Sequence, residues 1–266
     1  MTTTNATADK AGERKIEYLS RPAEVSMTDG YFELASLEHF WIRRRFAVFQ
    51  KLAGGLIAGA REMAEVGCGR GLLQRQVELE YERELVGFDL NENGLKHNLS
   101  QFSRVCCYDI HQMLDSLRAR FDLIFLWDVL EHISDEGKFL QALLFHLAPG
   151  GRLVVNVPAG RWAYSSYDRA AGHVRRYSIE TLREVAERNQ LELLKWSYWG
   201  LPLVPVLFAR KLRRVGQDGG EKAYAAGFDT RTVGVNAALG MVARCEVIPQ
   251  KLFGTSLMAV LQVEKN

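Results

Sequence analysis

The chain has 266 residues, 47% of them hydrophobic and 25% charged, with 34 Lys plus Arg against 32 Asp plus Glu. That balance excludes a disordered or collagen-like chain, and a net charge of +2 offers no basic field for a nucleic-acid partner. Cys68, Cys106, Cys107 and Cys245 form no C-x-x-C pair and have no histidine at zinc-finger spacing, so neither a disulfide framework nor a metal site is expected.

Residues 1–15 are polar and charged and read as a disordered tail with no signal-peptide pattern. A helical pattern capped by Asp29 runs from Tyr31 to Ala53, so 16–60 reads as an amino-terminal helical cap. From Arg61 to residue 199, short apolar runs alternate with amphipathic segments. Strands are expected at 63–66, 84–88, 104–108, 121–127, 152–157 and 191–198, and helices at 72–80, 93–100, 111–118, 136–147 and 179–188. Apolar runs without polar alternation belong to strands covered on both faces, and the intervening helices make parallel βαβ units. The rhythm stops over 200–253, an insertion carrying a Pro-interrupted apolar stretch, a basic Arg210–Arg214 run and a helical pattern at 229–246. A final strand at 255–263 can enter the sheet antiparallel. The fold class is α/β, a doubly wound and mostly parallel sheet with an amino-terminal helical cap and an insertion before the last strand. No apolar stretch is long enough to span a membrane, and the chain reads as cytoplasmic.

Chemistry concentrates where strands end. Glu65-Val66-Gly67-Cys68-Gly69-Arg70-Gly71 closes the first core strand. Glycines are needed where the backbone turns with positive φ and lets a ligand approach the main chain, and the next helix offers free N–H groups. A dinucleotide fingerprint would need glycine at position 72, where this chain has Leu72. Asp89 ends the second strand, where a carboxylate can accept both ribose hydroxyls of a nucleoside. Asp109 follows the third strand and reads either as a second nucleoside contact or as a helix cap.

The fourth strand runs into Phe121-Asp122-Leu123-Ile124-Phe125-Leu126-Trp127-Asp128-Val129-Leu130-Glu131-His132. Together with EVGCGRG, GFDLNE, YDI and LAPGGRLVVNVPA, in this order, the chain resembles the class I S-adenosylmethionine-dependent methyltransferases over about residues 60–199 and the terminal strand. D-V-L-E-H is similar to the subgroup that includes the ubiquinone-pathway O-methyltransferases. The resemblance implies a seven-stranded sheet of order 3-2-1-4-5-7-6 with the last strand antiparallel, and S-adenosylmethionine as cofactor. It places Glu65, Gly67, Cys68, Gly69 and Gly71 along the methionine and ribose side, Asp89 on the ribose hydroxyls and Leu90 against adenine. It sets Asp109 and Ile110 at the adenine edge, Trp127 near the sulfonium or the methionine amine, and Asp128 where cofactor and substrate meet. The Asn/Asp-Pro-Pro-aromatic tetrad of adenine-nitrogen and glutamine-amide methyltransferases is absent, since Trp127-Asp128-Val129-Leu130 stands in its place.

Methyl transfer needs the acceptor lone pair in line with the S–CH3 bond, so much of the work is positioning, and a base is needed only for a protonated acceptor. The candidate bases are His132, one turn beyond Asp128, and His173, in a loop that resembles a Y-D-x-x-x-G-H-x-R-R-Y stretch of a bacterial branch of the family. Tyr167, Arg175 and Arg176 of that loop are candidate contacts for an acceptor carboxylate or phosphate. His173 is the preferred base, because its loop lies where substrate would enter. Arg43-Arg44-Arg45 reads as a solvated face or, with His39 and Trp41, as a segment closing over the cofactor. The expected activity is methylation of a small organic acceptor, most readily at oxygen. The rivals are methylation of a lipid-linked or nucleotide-linked sugar at a membrane surface, which would need peripheral membrane contact, and a non-catalytic cofactor-binding protein. A monomer and a homodimer are equally compatible with the sequence.

Overall fold

The computed structural model describes residues 15–23, 25, 36–205, 208 and 233–263. Asp29, the start of the expected first helix, and the Arg210–Arg214 run lie outside the described residues. Among the described residues, the first elements are β1 (Glu17–Tyr18), α1 (Phe40–Ala53) and α2 (Gly55–Gly59). The core follows as β2 (Met63–Val66), α3 (Leu72–Tyr81), β3 (Val86–Asp89), α4 (Glu92–Lys96), β4 (Val105–Cys107) and β5 (Phe121–Trp127). It continues through α5 (Glu136–His146), β6 (Leu147–Pro158), α6 (Ser166–Ala170), α7 (Ile179–Arg188) and β7 (Leu191–Trp199), then α8 (Val233–Arg244) and β8 (Ser256–Val263).

The eight strands lie in the order β1-β4-β3-β2-β5-β6-β8-β7. Without β1 this is the expected seven-strand order. The eighth strand is a correction: Glu17 and Tyr18 pair in parallel with Cys106 and Cys107 at the sheet edge. Two residues with no apolar alternation leave no strand signal in the sequence. β8 runs antiparallel to both β6 and β7, so the terminal segment fills a slot between two strands made much earlier.

Strand β5 shows why a continuous apolar run marks the sheet centre. Leu123, Phe125 and Trp127 face α1 and α3, against Phe49, Leu73 and Val77, while Ile124 and Leu126 face α5 and α7, against Leu140, Leu143 and Leu182. Side chains alternate faces along a strand, and here both faces are covered, so no position from Leu123 to Trp127 is free to be polar. Truncating a fully buried aromatic such as Phe125 to alanine would cost about 3–5 kcal/mol.

Two local expectations are corrected. Among the described residues the first helix starts at Phe40, after a turn at Ser36–Glu38 and with His39 as cap accepting from the Trp41 N–H, while the expected positions 31–35 lie outside the described residues. The helix expected over 111–118 is instead two 3-10 turns, Ile110–Gln112 and Asp115–Leu117, separated by Met113 at φ +44°. A positive φ at a non-glycine residue ends a helix.

Candidate active site

The glycine loop leaves the carboxyl end of β2 with Gly67, Gly69 and Gly71 at φ +79°, +49° and +67°. All three sit in the left-handed region, where a side chain is penalised. Space adds a second demand, since a Cβ on Gly67 would fall 2.4 Å from Val129 Cγ2 and one on Gly71 would fall 2.4 Å from Asn98 Nδ2. The Gly67 and Cys68 N–H groups donate to the Phe88 carbonyl at 2.8 and 3.1 Å, tying the loop to β3. Cys68 is buried, and burial raises its thiol well above the ordinary range, so it is a packing group rather than a nucleophile.

At the end of β3, Asp89 accepts from the Gly69 N–H at 2.7 Å and from the Asn91 N–H at 2.8 Å. A carboxylate has roughly four acceptor positions, so these bonds fix its orientation without exhausting it. Burial pushes its carboxyl pKa above the ordinary carboxylate range, and the backbone hydrogen bonds at Asn91, Gly69 and Leu90 oppose the shift. Glu65 is only 4% exposed, and its Oε2 has no hydrogen-bond partner. Burial drives its carboxyl well upward, with Arg45 opposing and Asp89 adding to the shift. An orphaned acceptor under the glycine loop fits a ligand that brings a donor or a cation, because such an atom left unpaired costs about 1–3 kcal/mol. Asp109 takes the capping role: it accepts from the His111 N–H at 2.9 Å, while its own N–H donates to Ser20 Oγ at 2.8 Å. Ile110 is buried beside it, and Leu90 is half-buried against Cys68, Leu95 and Cys107.

The next strand end carries a second constellation. Asp128 sits at φ +55°, and its carboxylate accepts from the Arg45 guanidinium and from Asn156 Nδ2, the latter at 2.6 Å. Asn156 is in turn fixed by Trp199, whose Nε1 donates to its Oδ1 at 2.9 Å. Arg45 also lies over the Trp127 ring at 4.9 Å from the centroid. Two members of the arginine triplet are therefore not a solvated face. Arg44 is buried in an ion pair with Glu246 at 3.0 Å, Arg45 is buried on Asp128, and Arg43 alone is exposed.

Beyond Asp128, the 3-10 turn Leu130–His132 brings His132 against His173, ring centroids 4.8 Å apart and nearly perpendicular. Burial and the neighbouring His173 lower the His132 imidazole from 6.5 to about 4, against the opposing pull of Asp128. Glu131 is 1% exposed, its Oε2 has no hydrogen-bond partner, and burial followed by Asp128 drives its carboxyl well upward. Among the described residues, Glu131, His132 and His173 each place one ligand atom within 4.8 Å of the others. That grouping is invisible in the cysteine and histidine spacing, and its donor set is one a divalent cation can use. His173 Nδ1 lies 3.0 Å from Asp168 Oδ1.

The paired arginines are less open than expected. Arg176 is buried, donating to Asp168 at 2.7 Å and to the Ala159 carbonyl at 3.1 Å. Arg175 is half-buried, paired with Glu136 and donating to the Ser134 carbonyl at 2.9 Å. Tyr167 is half-buried on α6. The structure thus brings together two groups: Glu65, Asp89 and the glycines, and Asp128 with His132 and His173. Arg45, Glu131, Asn156 and Asp168 join them without having been singled out for those contacts. Only the carboxylates of the D-V-L-E-H and Y-D-x-x-x-G-H runs hinted at them in the sequence.

A doubly wound sheet with a glycine loop and two acidic strand ends on its carboxyl edge defines a nucleoside-binding α/β protein. A methyltransferase-domain family model matches residues 37–195, more than half of the chain, and the chain belongs to that family. A protein of Mycolicibacterium smegmatis named as a probable S-adenosylmethionine-dependent methyltransferase is 31% identical over 125 residues, 46% of each chain. A ubiquinone biosynthesis O-methyltransferase of Idiomarina loihiensis is 31% identical over 99 residues, 35% of this chain and 40% of the relative. The chain spans about half the length of these curated relatives. Among solved structures, an S-adenosylmethionine-dependent methyltransferase from Archaeoglobus fulgidus superposes with a TM-score of 0.50 at 18% identity, covering 82% of this chain and 94% of that one. That likeness shows the class I methyltransferase fold.

Proposed function

We propose that the chain is an S-adenosylmethionine-dependent methyltransferase that methylates a small organic acceptor, at oxygen. The observation that carries this reading is the carboxyl edge of β2 and β3. There the positive-φ glycine loop, the Asp89 carboxylate oriented by the Gly69 N–H, and the orphaned Glu65 Oε2 lie together. When bound, S-adenosylmethionine supplies a methyl group on a sulfonium, an electrophile with a neutral leaving group. The residues that would hold it are Glu65 and the loop glycines on the amino-acid side, Asp89 on the ribose, and Leu90, Asp109 and Ile110 around the base.

The chain's own work is then orientation and proton removal. Trp127 and Asp128 form a rigid wall, since Arg45 and Asn156 each donate to the Asp128 carboxylate and Trp199 in turn holds Asn156. Holding two reactants in attack geometry contributes roughly 7–11 kcal/mol in well-oriented systems. His173 is the better base of the two histidines. An imidazole held down to about 4, as in His132, accepts a proton poorly near neutral pH.

No helix among the described residues is long and apolar enough to cross a membrane. The test is a screen of hydroxyl-bearing acids and phenols with radiolabelled S-adenosylmethionine. Transfer to a hydroxyl supports the reading, and cofactor binding without transfer to any acceptor class turns it towards a binding protein.

A further inference from the structure

Asp168 is fully buried in the first turn of α6. Its Oδ2 accepts from the Ser165 N–H at 2.9 Å and the Ser165 hydroxyl at 3.2 Å, and its Oδ1 accepts from Arg176 Nε at 2.7 Å. The same Oδ1 faces His173 Nδ1 at 3.0 Å. Burial alone would raise this carboxyl, but the His173 hydrogen bond and the Arg176 charge outweigh it and hold it below its ordinary range. An ionised carboxylate only accepts, so the proton of that contact must sit on His173 Nδ1, and the lone pair of the neutral ring is then on Nε2. The backbone is fixed as well. The His173 N–H donates to the Asp168 carbonyl at 2.8 Å, and the Tyr164 hydroxyl donates to the His173 carbonyl at 2.8 Å.

We propose that Asp168 is a positioning residue: it holds His173 in the Nδ1–H tautomer, so that Nε2, on the side of the ring away from Asp168, is the atom that takes the acceptor's proton. The inference rests on the reading of the chain as a hydroxyl methyltransferase. In that step the acceptor O–H bond breaks, its electron pair stays on oxygen, and the proton forms the Nε2–H bond of an imidazolium. Asp168 stabilises that cation without itself being protonated, as in the Asp–His pair of serine proteases, where an Asp→Asn change keeps the geometry but inverts the tautomer.

The test needs no acceptor. Long-range proton–nitrogen correlation spectra of the full chain, labelled with 15N-histidine, report the tautomer of each neutral ring, and His173→Gln assigns the resonance. The expected result is an Nδ1–H, Nε2-bare ring at His173 in the unaltered protein, lost in Asp168→Asn and kept in Asp168→Glu. A wild-type ring protonated at Nε2 would overturn the proposal even if Asp168→Asn failed to fold. So would an unchanged tautomer in a folded Asp168→Asn protein, because a merely structural Asp168 would leave the ring alone. Calorimetry with S-adenosylhomocysteine on the same samples keeps the two claims apart. Absent binding to the wild type defeats the methyltransferase reading, whereas a wrong tautomer with intact binding defeats only the role of Asp168.

Discussion

Asp89 is where a single residue carries most of the cofactor reading. Two of its acceptor positions are spent on the Gly69 and Asn91 N–H groups, so its place and orientation are set before any ligand arrives. Asp89→Ala should weaken S-adenosylhomocysteine by about 1.5–3 kcal/mol, the worth of hydrogen bonds to a charged group, as read by calorimetry. For the base, His173→Gln should lower turnover roughly 10²–10⁴-fold once an acceptor is known, with cofactor affinity unchanged. His132 makes a separate claim on stability. Its folded-state value of about 4 lies below the unfolded 6.5, so in that window the unfolded chain binds more protons. Stability should therefore be full above 6.5 and fall as the pH drops towards 4. His132→Gln should flatten that slope in denaturant titrations at several pH values. An unchanged slope would mean that the ring is less shielded than its burial implies.

Elements decide how these residues are presented. Gly69→Val should abolish cofactor binding in a protein that still unfolds cooperatively, because a β-branched residue at φ +49° strains the loop and crowds its open side. Equal losses of binding and thermal stability would make the loop a purely structural turn. A second element-scale device is Glu78 of α3, whose buried carboxylate accepts the Gln101, Phe102 and Ser103 N–H groups at 2.7, 3.0 and 2.7 Å. Glu78→Ala should destabilise the chain by about 3 kcal/mol by leaving several donors unpaired, measured by urea unfolding. Strand β5 was legible with its observed boundaries because the unbroken apolar run Leu123–Trp127, with Phe121 just before it, suits only a strand covered on both faces. Strand β1 was not, since two edge residues have no period. The pairing of Arg45 with Asp128 was equally hidden: which arginine of a consecutive triplet turns inward depends on how α1 lies on the sheet. Likewise, His173 and Asp168 were legible as polar loop residues, but their contact follows from the left-handed Gly172 turn between them and not from their spacing.

At the scale of the molecule, the site joins segments far apart in the chain. Arg44 and Arg45 of α1 reach Glu246 and Asp128, and Glu246 also accepts the Gly200 and Leu201 N–H groups at 2.9 Å each. The described part of the 200–253 insertion is thereby tied to α1 beside the strand ends that carry the site. A ligand that binds only the folded chain should stabilise the whole, by about 2.7 kcal/mol at a hundred times its dissociation constant. The most direct measurement is calorimetric titration of the unaltered chain with S-adenosylhomocysteine and, separately, with NAD. The expected result is one saturable site per chain for S-adenosylhomocysteine and no binding heat for NAD, in line with Leu72 where a dinucleotide loop needs glycine. Saturable binding of NAD, or none of S-adenosylhomocysteine, would contradict the assignment of the glycine loop, Glu65 and Asp89 as a methyl-donor site.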